Sequence, residues 1–421
     1  MSKGEKVNRR TFVKAAVGAA IAAAALGSGY YFMTRGPTSQ PSKPTIRLGI
    51  MMGLTGPYSG NCKKMLDGAM LAVKEVNESG GILGGKQIEA FVRDDELNPG
   101  VAIRRATELV ETAKVEAIIG TLGTHIVNTL NDYMKRQKKI YMAGCIPVVE
   151  TQLAENRSPY TYFMLPNTAM ISNACADFCA ENAKKWYVIF PDYSGGHEMN
   201  KYMTERLEAA GCEIIGNVAA PLGTTDFSSF LTTAKAAEPE GLVIGGQLGT
   251  DLQNILKQVS GFNMKEEMFV FSMNNTLTDT MAIGLDLMAG VHSFLDFYWK
   301  LPYESTGKYS EAYFNEYNEL PDTYSIGTYE AVHEWAAAID SAGTTDSKKV
   351  KEELDDHNYD RTKGDEYFRA CDGQVVQEAY FVRVKELDEV GQGIPDEYDV
   401  YEIKGKKEGE QIVLSCSDLG Y

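Results

Sequence analysis

Short β-branched runs alternate with segments of helical periodicity along most of this chain, and no other feature limits the possible fold as strongly. Strands separated by about 10 to 15 residues of helix indicate a parallel sheet with helices on both faces. The first series of predicted elements comprises strands at 46–54, 88–93, 115–120 and 140–143, and helical periodicity at 65–76, 101–110 and 129–136.

The same rhythm begins again after Pro166. The second series comprises helices at 168–182, 197–210, 227–237 and 252–259, and strands at 186–190, 213–217, 242–246 and 268–272. A chain of 421 residues exceeds what one hydrophobic core usually supports. We therefore predict an α/β protein with two doubly wound parallel-sheet lobes. Because open parallel sheets bind ligands at the carboxyl ends of their strands, two such lobes facing each other predict a cleft.

The N-terminal residues are typical of an export signal. Residues 8–14 read Asn-Arg-Arg-Thr-Phe-Val-Lys and run into an alanine-rich stretch, so Arg9 and Arg10 resemble the pair of a twin-arginine signal. Residues 15–33 carry no charge, which argues against an ordinary amphipathic helix. If uncleaved, this stretch of about 19 residues would just span a bilayer as an anchor. We expect 1–36 to be the signal or anchor, 37–44 a linker, and the protein to act in the periplasm or on the outer face of the cytoplasmic membrane.

The charge of the remaining chain limits its partners. Residues 1–36 hold six Lys/Arg and one Glu, so the rest keeps 35 basic and 57 acidic residues. This surplus argues against nucleic acid or an anionic membrane as a partner. Seven cysteines, an odd number, leave at least one without an intramolecular partner. Cys175 and Cys179 share a helical face, where core packing and a bridge are equally compatible with the spacing.

One glycine-rich run resembles a phosphate-binding loop. Residues 80–86 read Gly-Gly-Ile-Leu-Gly-Gly-Lys. A P-loop follows a strand, precedes a helix and ends in Ser or Thr, whereas here a helix precedes, a strand follows and Gln87 holds the hydroxyl position. A turn at a helix C-terminus is the better interpretation.

Other catalytic patterns are equally unsupported. Asp94, Asp95 and Glu96 are consecutive at a strand end, so their side chains alternate in direction and do not converge. The histidines show no metal-ligand spacing, and no Gly-x-Ser-x-Gly elbow occurs. The histidines are His125, His197, His292, His333 and His357. We therefore expect no enzymatic activity, no metal and no cofactor.

Several motifs, in this order and spacing, resemble ABC transporter substrate-binding proteins of the branched-chain amino acid and amide/urea class. The motifs are Ile-Arg-Leu-Gly-Ile and Leu-Thr-Gly-Pro-Tyr-Ser-Gly within 46–60, Asp-Gly-Ala at 67–69, Asn-Glu-Ser-Gly-Gly-Ile at 77–82, Pro-Asn-Thr at 166–168, Pro-Leu-Gly-Thr-Thr-Asp-Phe at 221–227 and Arg-Ala-Cys-Asp at 369–372. The resemblance covers 46–385 and implies a Venus-flytrap fold of the type I periplasmic-binding-protein kind.

This resemblance also implies a domain organisation with three hinge crossings, near Leu165, His292 and Phe368. Lobe 1 would comprise 45–165 and 293–367, and lobe 2 would comprise 166–292 and 368–387. Residues 388–421 lie outside the resemblance, and their charge density suggests a surface extension.

In the resembled family, loops after the strands line the cleft. Carried over position by position, the ligand-binding residues are Tyr58, Gly123, Thr124, His125, Cys145, Ile146, Tyr193, Gln247, Met273, Asn274, Tyr298 and Tyr329. Free N–H groups at Gly123 and Thr124 suit a carboxylate or carbonyl oxygen. The tyrosines suit apolar walls with a polar tip, although ordinary packing remains the alternative for each.

The resemblance also bears on ligand chemistry. Amino-acid binders of this class place a carboxylate where this chain has Met273, so a buried α-ammonium would lack a partner unless Asp296 reaches it. A neutral amide or a carboxylate with an apolar or aromatic body is favoured. A slip of one or two residues in alignment would instead bring Asn274 or Asp279 to this place.

The expected function is capture of a small solute and its delivery to an ABC permease, by a protein that is monomeric. The alternative is a ligand-sensing receptor of the same fold. It is less favoured because no output domain or second membrane segment follows in the sequence.

Overall fold

The computed structural model describes residues 44–56 and 58–421. The export signal with Arg9 and Arg10, and all of the linker except its last residue, lie outside the described residues. Thr45–Tyr421 forms one compact unit. Within it, no described helix is both long and apolar enough to cross a membrane.

The first sheet has five parallel strands in the order β2-β1-β3-β4-β5. They are β1 (Thr45–Met52), β2 (Gln87–Asp94), β3 (Ala117–Gly120), β4 (Ile140–Ala143) and β5 (Thr161–Phe163). The accompanying helices are α1 (Ser59–Glu78), α2 (Pro99–Thr107, continued by a π-helical turn at Glu108–Ala113), α3 (Thr124–Gln137) and α4 (Val149–Gln152). Every residue of β3 and β4 is buried, as expected for strands covered by helices on both faces.

The second sheet has seven strands in the order β15-β14-β10-β9-β8-β6-β7. Its parallel strands are β6 (Lys185–Pro191), β7 (Glu213–Ala220), β8 (Gly241–Ile244), β9 (Phe269–Ser272) and β10 (His292–Leu295). Its helices are α5 (Thr168–Asn182), α6 (Ser194–Ala209), α7 (Ser228–Ala236), α8 (Gly249–Gly261), α9 (Met264–Glu267), α10 (Leu277–Ile283) and α11 (Leu285–Met288).

After β10 the chain returns to the first sheet and then crosses back. The returning elements are α12 (Glu304–Tyr317), α13 (Thr323–Ala342), α14 (Ser347–Leu354) and a small sheet of β11 (Asn358–Asp360), β12 (Asp365–Phe368) and β13 (Val375–Val376). Helix α13 packs closely on α1, because a Cβ at Gly68 would lie 2.1 Å from the Ser325 carbonyl oxygen. The last strands, β14 (Ala379–Val384) and β15 (Tyr401–Lys407), join the second sheet antiparallel.

Three crossing segments therefore connect the two sheets, and they lie side by side. The Gln374 side chain donates to the Leu165 carbonyl at 2.9 Å, and the Gln377 side chain donates to the Met164 carbonyl at 3.1 Å. The second crossing follows Leu295, three residues after His292, because β10 pairs with β9 and β14 inside the second sheet. The third lies between β13 and β14, after the predicted position at Phe368.

The C-terminal residues 388–421 differ from the predicted surface extension. Strand β15 forms an edge of the second sheet, and Cys416 forms a disulfide with Cys371. Within this strand only Tyr401 is buried, and the following residues, including Ile403, are partly or fully exposed. Its many charged residues belong to the outer face of an edge strand, which is why charge density alone suggested a surface segment. The other five cysteines are buried thiols, including Cys175 and Cys179 in the core.

Candidate ligand-binding cleft

A cavity of about 340 Å³ lies where the carboxyl ends of strands from both sheets meet. We call it the main chamber. It is lined by Leu122, Gly123, Thr124, Cys145, Ile146, Thr168, Tyr193, Gly195, Met199, Gly246, Leu248, Asn274 and Tyr324.

A second cavity of about 240 Å³ adjoins the main chamber and shares Ile146 and Asn274 with it. We call it the inner chamber. Its remaining walls come from the first crossing segment, α5, the end of β10 and the start of α13. These residues are Pro166, Ile171, Phe294, Leu295, Asp296 and Thr323.

Three helices begin at the main chamber: α3 after Gly123, α6 after Tyr193 and α8 after Leu248. Within the described part of the chain, none of the three has a side-chain cap. The first N–H groups of an α-helix have no partner inside the helix and carry partial positive charge. Since the residues that line this chamber include no charged side chain, these helix ends are its main attraction for an anionic group.

These helices begin three to five residues earlier than their apolar periodicity predicts, at Thr124, Ser194 and Gly249. The additional turns contain small and polar residues such as Gly195, which have no apolar repeat. Gly123 has a φ of 95°, in the left-handed region, and so forms the tight turn between β3 and α3. Two residues of these additional turns, Thr124 and Gly195, line the main chamber.

Contacts between the two halves of the cleft show a closed arrangement. The Thr124 and Ser194 hydroxyl oxygens are 3.1 Å apart. A Cβ at Gly195 would lie 3.1 Å from the Thr124 methyl carbon, so the approach depends on glycine. Glu198 on α6 accepts hydrogen bonds from the backbone N–H of Val149, at 2.7 Å, and from the Thr168 hydroxyl. Burial raises the pKa of Glu198.

Six of the twelve ligand-binding residues predicted from the sequence line the main chamber. They are Gly123, Thr124, Cys145, Ile146, Tyr193 and Asn274. Burial raises the pKa of the Cys145 thiol to about 12, so Cys145 is a neutral wall at ordinary pH. Burial also raises the pKa of Tyr193, whose hydroxyl therefore stays protonated.

Four other predicted residues have different environments. Tyr58 is buried, and burial together with the charge of Asp251 raises its pKa. The His125 ring pairs with the Leu97 carbonyl at 3.1 Å. Neither Tyr58 nor His125 lines a chamber, and the same holds for Gln247 and Met273. The amide of Gln247 donates to a β6 carbonyl at 3.2 Å, and Met273 is fully buried in the core of the second sheet.

The last two predicted residues, Tyr298 and Tyr329, do not line either chamber. Tyr298 donates to Asp399 at 2.7 Å, under the C-terminal segment, and Tyr329 donates to Glu75 at 2.7 Å, between α13 and α1. Tyr324, five residues before Tyr329, lines the main chamber instead. Positions five apart on a helix lie on different faces, so Tyr329 faces α1 while Tyr324 faces the main chamber.

Sequence reasoning missed Tyr324, Thr168 and the apolar wall of Leu122, Met199 and Leu248. The Tyr324 hydroxyl accepts a hydrogen bond from the Asn274 amide at 3.2 Å, and burial raises its pKa. The Pro-Asn-Thr motif was a signal for the first helical residue of α5, since Asn167 caps that helix.

A buried charged cluster, formed by Asp296, Glu330, Lys363 and Glu366, lies beside the inner chamber. The Lys363 ammonium nitrogen is 3.6 Å from Glu366 and 4.0 Å from Asp296. Burial raises the pKa of Glu330 and Glu366, and the charge of Glu330 raises that of Glu366 further. Burial opposes the charge on Lys363, but the surrounding carboxylates outweigh it and raise its pKa. The described residues contain no group of three or more His, Cys, Asp or Glu side chains arranged for a metal ion.

Comparison with known proteins adds a family to this geometry. The model of a family described as periplasmic binding protein matches residues 45–391. Leu/Ile/Val-binding protein homolog 7 of Brucella abortus (strain 2308) is 23% identical over 331 residues, which is 75% of this chain and 82% of that protein.

Two solved structures are similar over most of their length. A branched chain amino acid ABC transporter periplasmic ligand-binding protein from Burkholderia xenovorans LB400 has a TM-score of 0.77 and 25% identity, covering 87% of this chain and 96% of that one. A solute binding protein of an ABC transporter from Rhodopseudomonas palustris BisB5, in complex with 3,4-dihydroxy benzoic acid, has a TM-score of 0.76 and 22% identity, covering 87% and 98%.

Proposed function

This chain belongs to the periplasmic binding protein family, and from that premise we propose that it is the extracytoplasmic solute-binding component of an ABC importer. It captures a small solute between its two lobes and delivers it to a membrane permease. The family consists of solute-binding proteins rather than enzymes, and a ligand-sensing receptor of the same fold is not favoured.

The observation that carries this proposal is the main chamber, enclosed between the strand ends of two sheets and bordered by three uncapped helix N-termini. Such a site suits the carboxylate of a solute whose body packs on Tyr193, Tyr324 and Leu248. Of the similar proteins named above, one is a Leu/Ile/Val-binding protein homolog and another is a solute binding protein in complex with 3,4-dihydroxy benzoic acid. Both kinds of compound have a carboxylate.

We favour an apolar or aromatic carboxylate over a zwitterionic α-amino acid. An α-ammonium in the main chamber would meet no carboxylate among the residues that line it. Burying an unpaired ammonium costs several kcal/mol. The only acidic side chain of the two chambers is Asp296, in the inner one.

We propose that closure is a rotation of the lobes about the three crossing segments. Lobe 1 then comprises the first sheet and the returning helices α12 to α14, and lobe 2 comprises the second sheet with β14 and β15. Each lobe keeps its own sheet and helices during such a motion, so the cost to either core is small. The protein acts as a monomer and docks on the permease in the closed form.

The test of this proposal combines calorimetry with small-angle scattering on the purified protein. Benzoate should bind, reduce the radius of gyration and, at a hundredfold excess over Kd, stabilise the fold by about 2.7 kcal/mol. Leucine should bind weakly. A radius of gyration that does not change when a ligand binds would contradict the proposed rotation of the lobes. Micromolar leucine binding that is insensitive to Asp296→Asn would contradict the proposed ligand class.

We also propose export by the twin-arginine route, with Arg9 and Arg10 as the recognition element. Replacing both with lysine keeps the charge but removes the guanidinium groups. The Arg9→Lys, Arg10→Lys precursor should remain in the cytoplasm, as measured by fractionation, whereas Lys14→Arg serves as a control that should export normally. Unchanged export of the double variant would refute the route.

A further inference from the structure

Asp296 is the acidic side chain that borders the inner chamber, and one of its oxygens lacks a donor. It lies directly after β10 and is 1% exposed. Its Oδ1 accepts a hydrogen bond from the Thr323 hydroxyl at 2.6 Å. No described residue donates a hydrogen bond to Oδ2, although that oxygen is fully buried. Buried carboxylate oxygens in proteins are normally satisfied, so an unpaired one beside a cavity calls for a ligand.

The nearby Lys363 does not fill this role. Its ammonium nitrogen is 4.0 Å from Asp296 Oδ2, which is too far for a hydrogen bond. Lys363 instead donates to the Gln377 side chain and lies 3.6 Å from Glu366. Lys363 therefore offsets the charge of Asp296 but leaves Oδ2 without a hydrogen-bond donor.

The two chambers are neighbours, because Ile146 and Asn274 belong to the walls of both. At one end are the helix N-termini proposed above to hold a carboxylate. At the other end is Asp296, surrounded by the apolar walls of Ile171, Phe294 and Leu295. A solute long enough to reach from the main chamber into the inner one would place its remote end next to Asp296.

We propose that Asp296 is a specificity-determining residue that accepts a hydrogen bond from a hydroxyl group at the end of the solute remote from its carboxylate. This inference rests on the proposed function, since it assumes that the carboxylate lies in the main chamber. The solute class is thus a hydroxylated carboxylate with an apolar or aromatic body, and Thr323 is a positioning residue that holds Asp296.

A hydroxyl fits this place better than an ammonium group. An ammonium brings three N–H donors, whereas among the described residues that line the inner chamber Oδ2 of Asp296 is the buried carboxylate oxygen without a donor, and the walls around it are largely apolar. A second cation would also lie close to Lys363, which is itself buried. A hydroxyl has a single donor and adds no charge.

The experiment is calorimetry of the wild-type protein with 3-hydroxybenzoate and 4-hydroxybenzoate, and with benzoate, 4-methoxybenzoate and 4-(aminomethyl)benzoate as comparison ligands. A hydrogen bond to a charged acceptor predicts that at least one hydroxybenzoate binds about ten- to a hundredfold more tightly than benzoate. Methoxybenzoate, which has no donor, should show no such gain. This comparison needs no variant, so it stands even if a substitution prevents folding.

Asp296→Asn then tests the residue itself. The amide keeps the size of the side chain and the acceptor for Thr323 but loses the charge, so the advantage of hydroxybenzoate over benzoate should fall to about threefold or less. Glu366→Gln is the matched control, because it removes a buried carboxylate on the other side of Lys363 that does not border the chamber. Its hydroxybenzoate-to-benzoate ratio should equal that of the wild type.

The outcomes separate the two proposals. Equal affinity for benzoate and both hydroxybenzoates would overturn the role of Asp296 and leave the carboxylate site intact. If 4-(aminomethyl)benzoate binds most tightly and Asp296→Asn abolishes that advantage, Asp296 recognises a cationic group and the proposed hydroxyl recognition is overturned. If none of these carboxylates binds, the proposed ligand class fails and the role of Asp296 fails with it.

Discussion

The main chamber and the buried charged cluster are neighbours, yet they handle charge in opposite ways. The main chamber has no charged side chain in its lining and relies on the partial charges of three helix ends. The cluster encloses full charges, with three carboxyl groups around one lysine, all away from solvent. The partial charges of the helix ends are free to interact with a solute, whereas the charged groups of the cluster interact mainly with one another. Asp296 belongs to both, because it borders a chamber and touches the cluster.

The largest effect is expected where the cluster loses its only cation. Lys363→Met would leave Asp296, Glu330 and Glu366 buried without a counter-charge, and breaking a buried pair by removing one partner costs about 3 to 5 kcal/mol. Urea denaturation of the ligand-free protein measures this loss. The control is Lys300→Met, which removes an exposed partner of Asp399 and should cost less than about 1 kcal/mol. Equal losses in the two variants would mean that the cluster is not more strongly coupled than the surface.

The next prediction concerns pH and also separates the two regions. Because burial and the charge of Glu330 raise the pKa of Glu366 in the folded state, the folded protein holds a proton that the unfolded chain releases. The stabilisation is present below the unfolded pKa and is lost as pH rises through the folded pKa. Stability should therefore fall with rising pH, by at most about 1.4 kcal/mol per pH unit for one proton.

Glu366→Gln tests this dependence, because the amide cannot titrate. The groups around Glu366 are Glu330, Lys363 and Asp296, so the variant keeps their charges. We expect a shallower fall of the unfolding free energy between pH 5 and pH 8 than in the wild type. Parallel curves would show that Glu366 titrates as it does in the unfolded chain. The main chamber, whose lining lacks carboxyl groups, should contribute nothing to this difference.

The two regions also differ in how far the sequence predicts them. Topology brings the loops after β3, β4, β6 and β9 to one cleft, so strand order together with the family resemblance could place Thr124, Cys145, Tyr193 and Asn274 there. The cluster joins residues from the end of β10, from α13 and from the segment around β12. These contacts depend on packing between elements far apart in sequence, and Asp296 is the one residue of the cluster for which the sequence indicates a role. The edge strand β15 was missed for the same reason, since its partner is β14 and not a local turn.

A substitution at the mouth of the main chamber should affect closure and leave the cluster untouched. In Gly195→Val the added side chain would meet the Tyr193 ring, 2.8 Å from the new Cβ, and the Thr124 methyl group, at 3.1 Å. We expect benzoate affinity to fall about tenfold or more and the compaction seen by scattering to be reduced, because closed contacts are lost. Gly307→Ala is the control, since no atom lies within 4 Å of its Cβ position and alanine favours the helix. Normal affinity in Gly195→Val would mean that the solute binds without this contact.

The smallest effect is expected at the hydroxyl pair that joins the two sides of the main chamber. Thr124 and Ser194 are 3.1 Å apart and belong to α3 and α6, on opposite sides of the cleft. Thr124→Val and Ser194→Ala should each weaken benzoate binding by about 0.5 to 1.5 kcal/mol, the net contribution of an ordinary hydrogen bond. In a double-mutant cycle the two losses should not add, because they remove the same contact.

The same double-mutant cycle, applied to the unfolding free energy of the ligand-free protein, shows whether the contact exists without a solute. If the pair forms only when the lobes close on a solute, the coupling energy appears in ligand affinity and is absent from ligand-free stability. Coupling of equal size in both measurements would mean that the contact persists without ligand and that the empty protein is already closed. The buried cluster predicts the reverse pattern, since its carboxylates and Lys363 are packed together independently of any solute. The coupling energy between Lys363 and these carboxyl groups should appear in the stability of the ligand-free protein. Only the coupling between Lys363 and Asp296 should also change the affinity for a hydroxylated carboxylate.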